Sequence, residues 1–219
     1  RNDNSSRFGK YIKLFFDAKS DLRGAALETF LLETTRVVKH SALERNFHIF
    51  YMLCASNGYY DTHALHIRSP ADYFYLNQGE CYDRRDGVSD HTLFRYFCES
   101  MKTLGFYRHD INSLFRILMS ILCIGNVTFS SKTGQSGEII INMTEIGEEY
   151  MMEAVEYLGV PMETLFTSIT TRKVSVVGEL FNVTLTSDQA EETRDIFAKT
   201  LYSSIFQWIL DCLNANMCV

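Results

Sequence analysis

The first ten residues, Arg1-Asn2-Asp3-Asn4-Ser5-Ser6-Arg7-Phe8-Gly9-Lys10, concentrate more polar chemistry than any later stretch of the chain. Ser and Asn side chains compete with the backbone for its own hydrogen bonds, so Asn2 to Ser6 read as a loop whose side chains and amides turn toward a ligand. An anion or a hydrated cation fits that set of groups. A hydroxyl oxygen is a hard ligand of the kind Mg²⁺ takes, one or two at a time, while it keeps several waters. Arg7 can fork onto a carboxylate or a phosphate. On composition alone, the same residues also suit a polar tail closed by an Asx or Ser turn. Elsewhere the pickings are thinner. His63-x-x-His66 has no carboxylate or Cys at metal spacing, and reads as two surface histidines. The six cysteines, at 54, 81, 98, 123, 212 and 218, have no C-x-x-C spacing and read as reduced cytosolic thiols rather than a metal cluster. Four Asn-x-Ser/Thr sequons, at Asn4, Asn126, Asn142 and Asn182, read as chance.

The elements that must position this opening belong to an ordinary globular chain of 219 residues, with 46% hydrophobic and 22% charged residues and two prolines. That length is one domain or a large piece of one. The chain does not open on Met and reads as a fragment. A net charge of −6 argues against a nucleic-acid-binding surface, and no apolar run has the length of a membrane span. Phe8 to Asp17 and Ala25 to Glu33 read as strands joined by the turn chemistry of Ser20, Asp21 and Gly24. Glu44 to Leu53 reads as a helix, and residues 57 to 88 as loop with short helical turns. Two apolar stripes follow, Leu93, Phe94, Phe97, Met101 and Leu104, capped by Ser89 or Asp90 and closed by Gly105, then Ile111 to Leu122, closed by Gly125. A small hairpin turns through Lys132 to Gly137. Thr144 to Leu158 reads as an amphipathic helix with Ile146, Tyr150, Met151, Ala154, Val155 and Leu158 inward. After the β-rich Val174 to Leu185, a long helix runs from Thr186 or Ser187 to about Leu213. Thr186 and Gln189 stand at capping-box spacing there, and Ile196, Leu201, Ile205, Phe206, Ile209 and Leu213 supply its buried face.

The order of residues adds a resemblance. Asn-x-x-Ser-Ser-Arg followed by Phe8-Gly9-Lys10-Tyr11-Ile12 resembles switch I of the myosin motor domain; kinesins share the shorter piece but not Phe-Gly-Lys. Gly24 to Val38 resembles the last strand of the myosin transducer sheet, Glu44 to Leu53 and Ile121 to Phe129 resemble two further myosin signatures, and Tyr202 to Leu210 resembles the helix that closes the upper 50-kDa subdomain. The opening and Thr170-Thr171-Arg172 have class VI features, although the family's Leu-Leu-Glu-Lys-Ser-Arg reads Leu32-Glu33-Thr34-Thr35-Arg36 here.

The resemblance covers the whole chain. It implies a mainly α (α+β) fold: the helical upper 50-kDa subdomain of a P-loop NTPase motor, residues 39–219, with small hairpins, preceded at 1–38 by switch I and a two-stranded piece of the transducer sheet. It implies an ATPase with ATP and Mg as cofactors in the complete motor, an actin filament and the remainder of the head as partners, no nucleic acid and no membrane insertion, and a cytoplasmic, cytoskeletal setting. Asn2, Asn4, Ser5 and Ser6 would bind nucleotide, Ser6 would ligate Mg²⁺, and Ser5 and Arg7 would be catalytic, Arg7 by pairing with a switch II glutamate. A loop at about 172–187 resembles the actin-contacting cardiomyopathy loop, with Arg172, Lys173, Val177, Glu179, Leu180 and Phe181 as contacts. Its regulatory position, sixteen residues before the Asp of Asp195-Ile196-Phe197-Ala198-Lys199, is Glu179, a permanent charge where other heads add a phosphate. Leu180 and Phe181 could equally pack beneath the loop. The phosphate-binding loop and switch II would lie outside this chain, which contains no Gly-Lys-Ser or Gly-Lys-Thr. The alternative is a non-catalytic helical interaction module or truncated product that keeps only the fold.

Overall fold

The computed structural model describes residues 5–176 and 179–217. Asn2, Asn4 and Val177, three of the expected site residues, lie outside the described residues. The chain opens with an antiparallel ribbon, β1 (Gly9–Phe16) and β2 (Leu22–Phe30), in which Ile12 stands opposite Leu27. Its turn is held by Asp17, whose carboxylate accepts from the amides of Lys19 and Asp21 and from Arg23, an Asx arrangement that the Asp-x-x-x-Asp spacing favours. The second strand ends at Phe30 rather than Glu33, because Leu31 adopts a positive φ of 56° and turns the chain into a 3-10 turn over Thr34–Val37.

Four helices then build the body: α1 (His48–Cys54), the short α2 (Phe74–Asn77), α3 (Asp90–Thr103) and α4 (Arg108–Gly125). The helix expected from Glu44 starts four residues later. Arg45 and Asn46 are buried in non-helical backbone, and the Asn46 amide donates to the carbonyls of Val37 and Tyr75 at 2.9 and 2.7 Å while its oxygen accepts from Phe47. Two buried carbonyls need those donors, and a side chain serving them cannot sit in a helical first turn. Ser89 occupies the N-cap of α3 without a side-chain capping bond, and Asp90 turns to Arg45 instead. The central helix α4 buries Ile111, Leu114, Phe115, Leu118, Met119 and all of Ile121 to Gly125. Its last turns, buried on every side from Leu118 to Gly125, must be surrounded, and α4 contacts α3, α5 and α7.

The hairpin β3 (Phe129–Thr133) and β4 (Ile139–Met143) leads to α5 (Glu145–Leu158) and α6 (Met162–Thr170), separated by Gly159 at φ 68°, the left-handed stop that a glycine takes without strain. Ile146, expected inward on α5, is 66% exposed, and Tyr157 takes the buried position. A third hairpin, β5 (Thr171–Val176) and β6 (Glu179–Thr184), feeds α7 (Ser187–Met217). The expected capping box is formed: Thr186 N–H donates to Gln189 Oε1 and Gln189 N–H to Thr186 Oγ1. Along α7 the buried residues are Ala190, Arg194, Ala198, Tyr202, Ile205 and Leu210, whereas Ile196 is 56% exposed. The fold is therefore α+β, with each of its three sheets two-stranded among the described residues. The five described cysteines are free thiols, and no described helix is long and apolar enough to cross a membrane.

Candidate functional site

The opening segment lies at one end of a cleft of about 280 Å³ lined by Ser5, Ser6, Arg7, Arg36, Arg45 and His48, with Phe47 and Tyr202 at its floor. Ser5 and Ser6 are exposed and Arg7 is half-buried. Phe8 anchors the segment from behind by packing edge-on against Phe206 of α7, 5.0 Å between ring centres. Arg7 Nη1 pairs with Glu33 Oε2 at 3.2 Å, and the Glu33 amide donates to the Arg7 carbonyl at 2.9 Å. Glu33 also receives two bonds from Arg36, at 3.1 and 3.2 Å. Burial would raise the Glu33 carboxyl, but the guanidiniums of Arg36 and Arg7 outweigh it and hold it below the usual carboxylate range.

Arg36 is the hinge of this network: 5% exposed, it reaches Glu33, Glu44 at 3.0 Å and the Arg45 carbonyl at 2.9 Å. Arg45 in turn donates to Asp90 Oδ2 at 2.5 Å and lies 3.9 Å over the Tyr51 ring. His48, at the start of α1, is held below its ordinary pKa by burial and by Arg45 and Arg84. Its neutral ring accepts a hydrogen bond from Arg84 Nη1 at 3.0 Å. The cleft thus presents two hydroxyls at an open rim, backed by arginines that carboxylates of the same chain keep in place. Ser5 and Ser6 are exposed at that rim, and a hydroxyl so placed leaves room for the waters that Mg²⁺ keeps. Among the described residues no group of three His, Cys, Asp or Glu side chains could hold a metal ion.

The second expected site is at the opposite end of α7. In the β5–β6 hairpin, Val174 stands opposite Phe181, Ser175 opposite Leu180 and Val176 opposite Glu179, which puts Glu179 beside the turn. Arg172, Lys173 and Glu179 are exposed. Leu180 and Phe181 are 71% and 48% exposed, so of the two readings open to them, packing beneath the hairpin is not what this structure shows. Asp195, the reference residue of the motif, points inward: it accepts from Tyr75 Oη at 2.6 Å and from Arg194 Nε at 3.0 Å.

The structure sets exposed Ser5 and Ser6 and half-buried Arg7 along one cleft, and sequence reasoning misses what holds them. Glu33, Arg36, Arg45 and Asn46 were read as parts of a strand and a helix. The signal for Arg36 was available in its spacing, an acid three residues before a guanidinium that is followed by Val37-Val38. Asn46 and Arg45 carry no comparable local sign.

Comparison with known proteins extends over the whole chain. The family model described as myosin head (motor domain) matches residues 1–219. The chain is 34% identical over 217 residues to Myosin-5 of Arabidopsis thaliana, covering 99% of this chain and 14% of that protein. It is 33% identical over 219 residues to Myosin-1 of the same plant, 18% of that protein's length. To Myosin-2 of Saccharomyces cerevisiae it is 32% identical over 218 residues, 13% of that protein's length. The chain therefore spans under a fifth of each of these relatives.

Proposed function

The chain belongs to the myosin head (motor domain) family, and on that premise we propose that it supplies switch I and an actin-contacting loop to an ATP-hydrolysing, actin-based motor. Residues 39–219 are the helical upper 50-kDa subdomain in this reading, and residues 1–38 bring switch I with two strands of the transducer sheet. Asn2, Asn4, Ser5 and Ser6 bind the nucleotide, Ser6 gives its hydroxyl to Mg²⁺, and Ser5 lies beside the attacking water. Mg²⁺, when bound, neutralises charge on the transferring phosphate. Arg7 holds the pocket shut by exchanging Glu33 for a carboxylate on switch II, contributed by the remainder of the head. Actin meets the hairpin of Arg172, Lys173, Val177, Glu179, Leu180 and Phe181. Such a motor works at the cytoskeleton of the cytoplasm.

One observation carries this reading: a single helix, α7, starts at the exposed hairpin of Glu179 and packs its later turns against the opening segment through Phe206 and Phe8. The ribbon of β1 and β2 supports it as well. Tyr11, Ile12, Leu14, Phe15, Phe16, Leu22 and Phe30 are each 44–60% exposed. A two-stranded ribbon with so much apolar surface in water is not stable alone, and in this reading further strands and helices of the complete head cover it.

The test is Glu179→Ala in the complete motor. Actin-activated turnover falls severalfold, with the loss growing at low salt, since a rim charge acts chiefly on association rate. Unchanged actin activation removes Glu179 from the contact. A second expectation concerns the chain by itself. It carries the hydroxyls but no phosphate-binding loop, so titration with Mg·ATP in a calorimeter gives no micromolar binding and no hydrolysis follows. Micromolar affinity overturns the division of labour proposed here.

A further inference from the structure

The side chain of Asn214, near the end of α7, makes two hydrogen bonds to one residue of the ribbon. Leu27 N–H donates to Asn214 Oδ1 at 2.7 Å, and Asn214 Nδ2 donates to the Leu27 carbonyl at 2.9 Å. A backbone that offers both groups of one residue in the same direction is presenting the outer edge of a strand. Leu27 faces Ile12 across the ribbon, so it turns these groups away from β1 and toward α7. A carboxamide has the donor and acceptor of a peptide unit in the same spacing. At this position it replaces a neighbouring strand.

The place of Asn214 in the fold gives the bond pair a consequence. From Leu27 the chain runs along β2 to Phe30 and turns at Leu31 to Glu33, which holds Arg7 by its side chain and by its amide. From Asn214 back to Ser187, α7 spans about 40 Å of helix at 1.5 Å per residue, and its capped start follows directly on the β5–β6 hairpin. The buried ties of Arg194 and Ala198 fix the near half of the helix to the body. Asn214 fixes the far half to the strand. Packing of Phe206 on Phe8 is apolar and tolerates sliding, whereas two opposed hydrogen bonds at 2.7 and 2.9 Å specify a register.

The geometry points to Asn214 as a positioning residue that closes the outer edge of β2 and transmits displacement of α7 to that strand, whose end leads through the turn at Leu31 to Glu33, the partner of Arg7. Two things follow. Growth of the sheet is confined to the free side of β1 at this level, because the Leu27 groups are already taken. The nucleotide end and the hairpin end communicate through this bond pair as well as through general packing. The second statement rests on the function proposed above; the first does not.

The experiment uses the complete motor with Asn214→Leu, Asn214→Asp and, as control, Asn216→Leu. Asn216 sits on the same helix but donates to the Leu104 carbonyl in the body. Hydrogen exchange at the Leu27 amide and ATP turnover with and without actin are read together. Asn214→Leu is expected to speed Leu27 exchange roughly tenfold, the scale of losing a net hydrogen bond. It is expected to cut actin acceleration of turnover at least threefold while basal turnover stays within twofold. Asn214→Asp keeps the acceptor for Leu27 N–H and sets a carboxylate against the Leu27 carbonyl, so it gives the same direction even where the Leu variant fails to fold. Asn216→Leu leaves both readouts unchanged. Unaltered Leu27 exchange in both Asn214 variants overturns the edge closure. Faster exchange with full actin acceleration overturns the coupling alone. A wild-type motor that actin does not accelerate overturns the functional reading and with it the coupling, but leaves the edge closure standing on the exchange data.

Discussion

On the function proposed above, replacing Arg7 with Ala in the complete motor lowers single-turnover ATP hydrolysis by at least about 10²-fold, the scale of losing one preorganised group of a phosphoryl-transfer site, here the pairing with switch II that shuts the pocket. The structure separates that effect from unfolding. Arg7 is half-buried with a side chain 25% exposed, and its partner Glu33 is 38% exposed. Once Arg7 is gone, Glu33 keeps both bonds from Arg36, at 3.1 and 3.2 Å, so no buried charge is orphaned. A pair exposed to this degree contributes about 1 kcal/mol or less to stability. Thermal melting therefore shifts by only a few degrees while turnover collapses. Arg7→Lys keeps a charge but cannot fork onto two oxygens, and recovers only part of the loss. Turnover near the wild-type rate in Arg7→Ala removes this residue from the chemistry.

The contrast between Arg7 and its supports shows where local sequence ends as a guide. The start of α7 is legible because Thr186 and Gln189 satisfy each other within one turn, and Val174 to Leu185 is legible as β-rich by composition, although only the register of Val176 opposite Glu179 shows it to be a hairpin. Both depend on contacts a few residues long. The register of Asn214 with Leu27 spans 187 residues, and Asn46 joins Val37 to Tyr75. Neither leaves a periodic trace, since a single polar residue on a helix or in a loop looks solvated until its distant carbonyls are known. Ile146 and Ile196 fail in the opposite sense. Each lies at a helical spacing shared with core residues, yet each is more than half exposed. Periodicity marks a face and not its margins, and apolar residues at the margin of a face commonly stay in water. In this family member, such margins are also where the rest of the head is expected to seat.

The same reasoning gives the largest expected losses of stability in the chain itself. Arg194→Met lowers the unfolding free energy by about 3 kcal/mol, at the low end of the 3–5 kcal/mol range for breaking a buried ion pair. Arg194 is 3% exposed. Its Nη1 donates to the Val127 carbonyl at 2.6 Å, and its Nε and Nη2 converge on Asp195 Oδ1 at 3.0 and 2.8 Å. Tyr75 Oη donates to the same oxygen at 2.6 Å. Methionine fills the volume but supplies no donor, so the Val127 carbonyl loses its partner inside the smaller core cluster, to which Val127 itself belongs. Asp195 keeps only the tyrosine and a side chain 28% exposed to water, which is why the low end of the range applies. The Tyr75 ring cannot move to compensate: it is fully buried, and any Cβ at Gly125 would meet it at 2.6 Å. Asp195→Asn retains an oxygen for Tyr75 and for Arg194 but leaves that guanidinium buried without its counter-charge, and costs more, about 4 kcal/mol. Urea unfolding of the two variants at pH 7 distinguishes them by midpoint, with slopes unchanged if only stability has moved. An Arg194→Met midpoint equal to that of the unsubstituted chain means that the guanidinium adds nothing beyond its stem. In that case α7 is held at its near end by apolar packing of Ala190 and Ala198 and by the bonds of Ser187 to Ser131, and Arg194 is not the pivot from which the hairpin of Glu179 could be displaced.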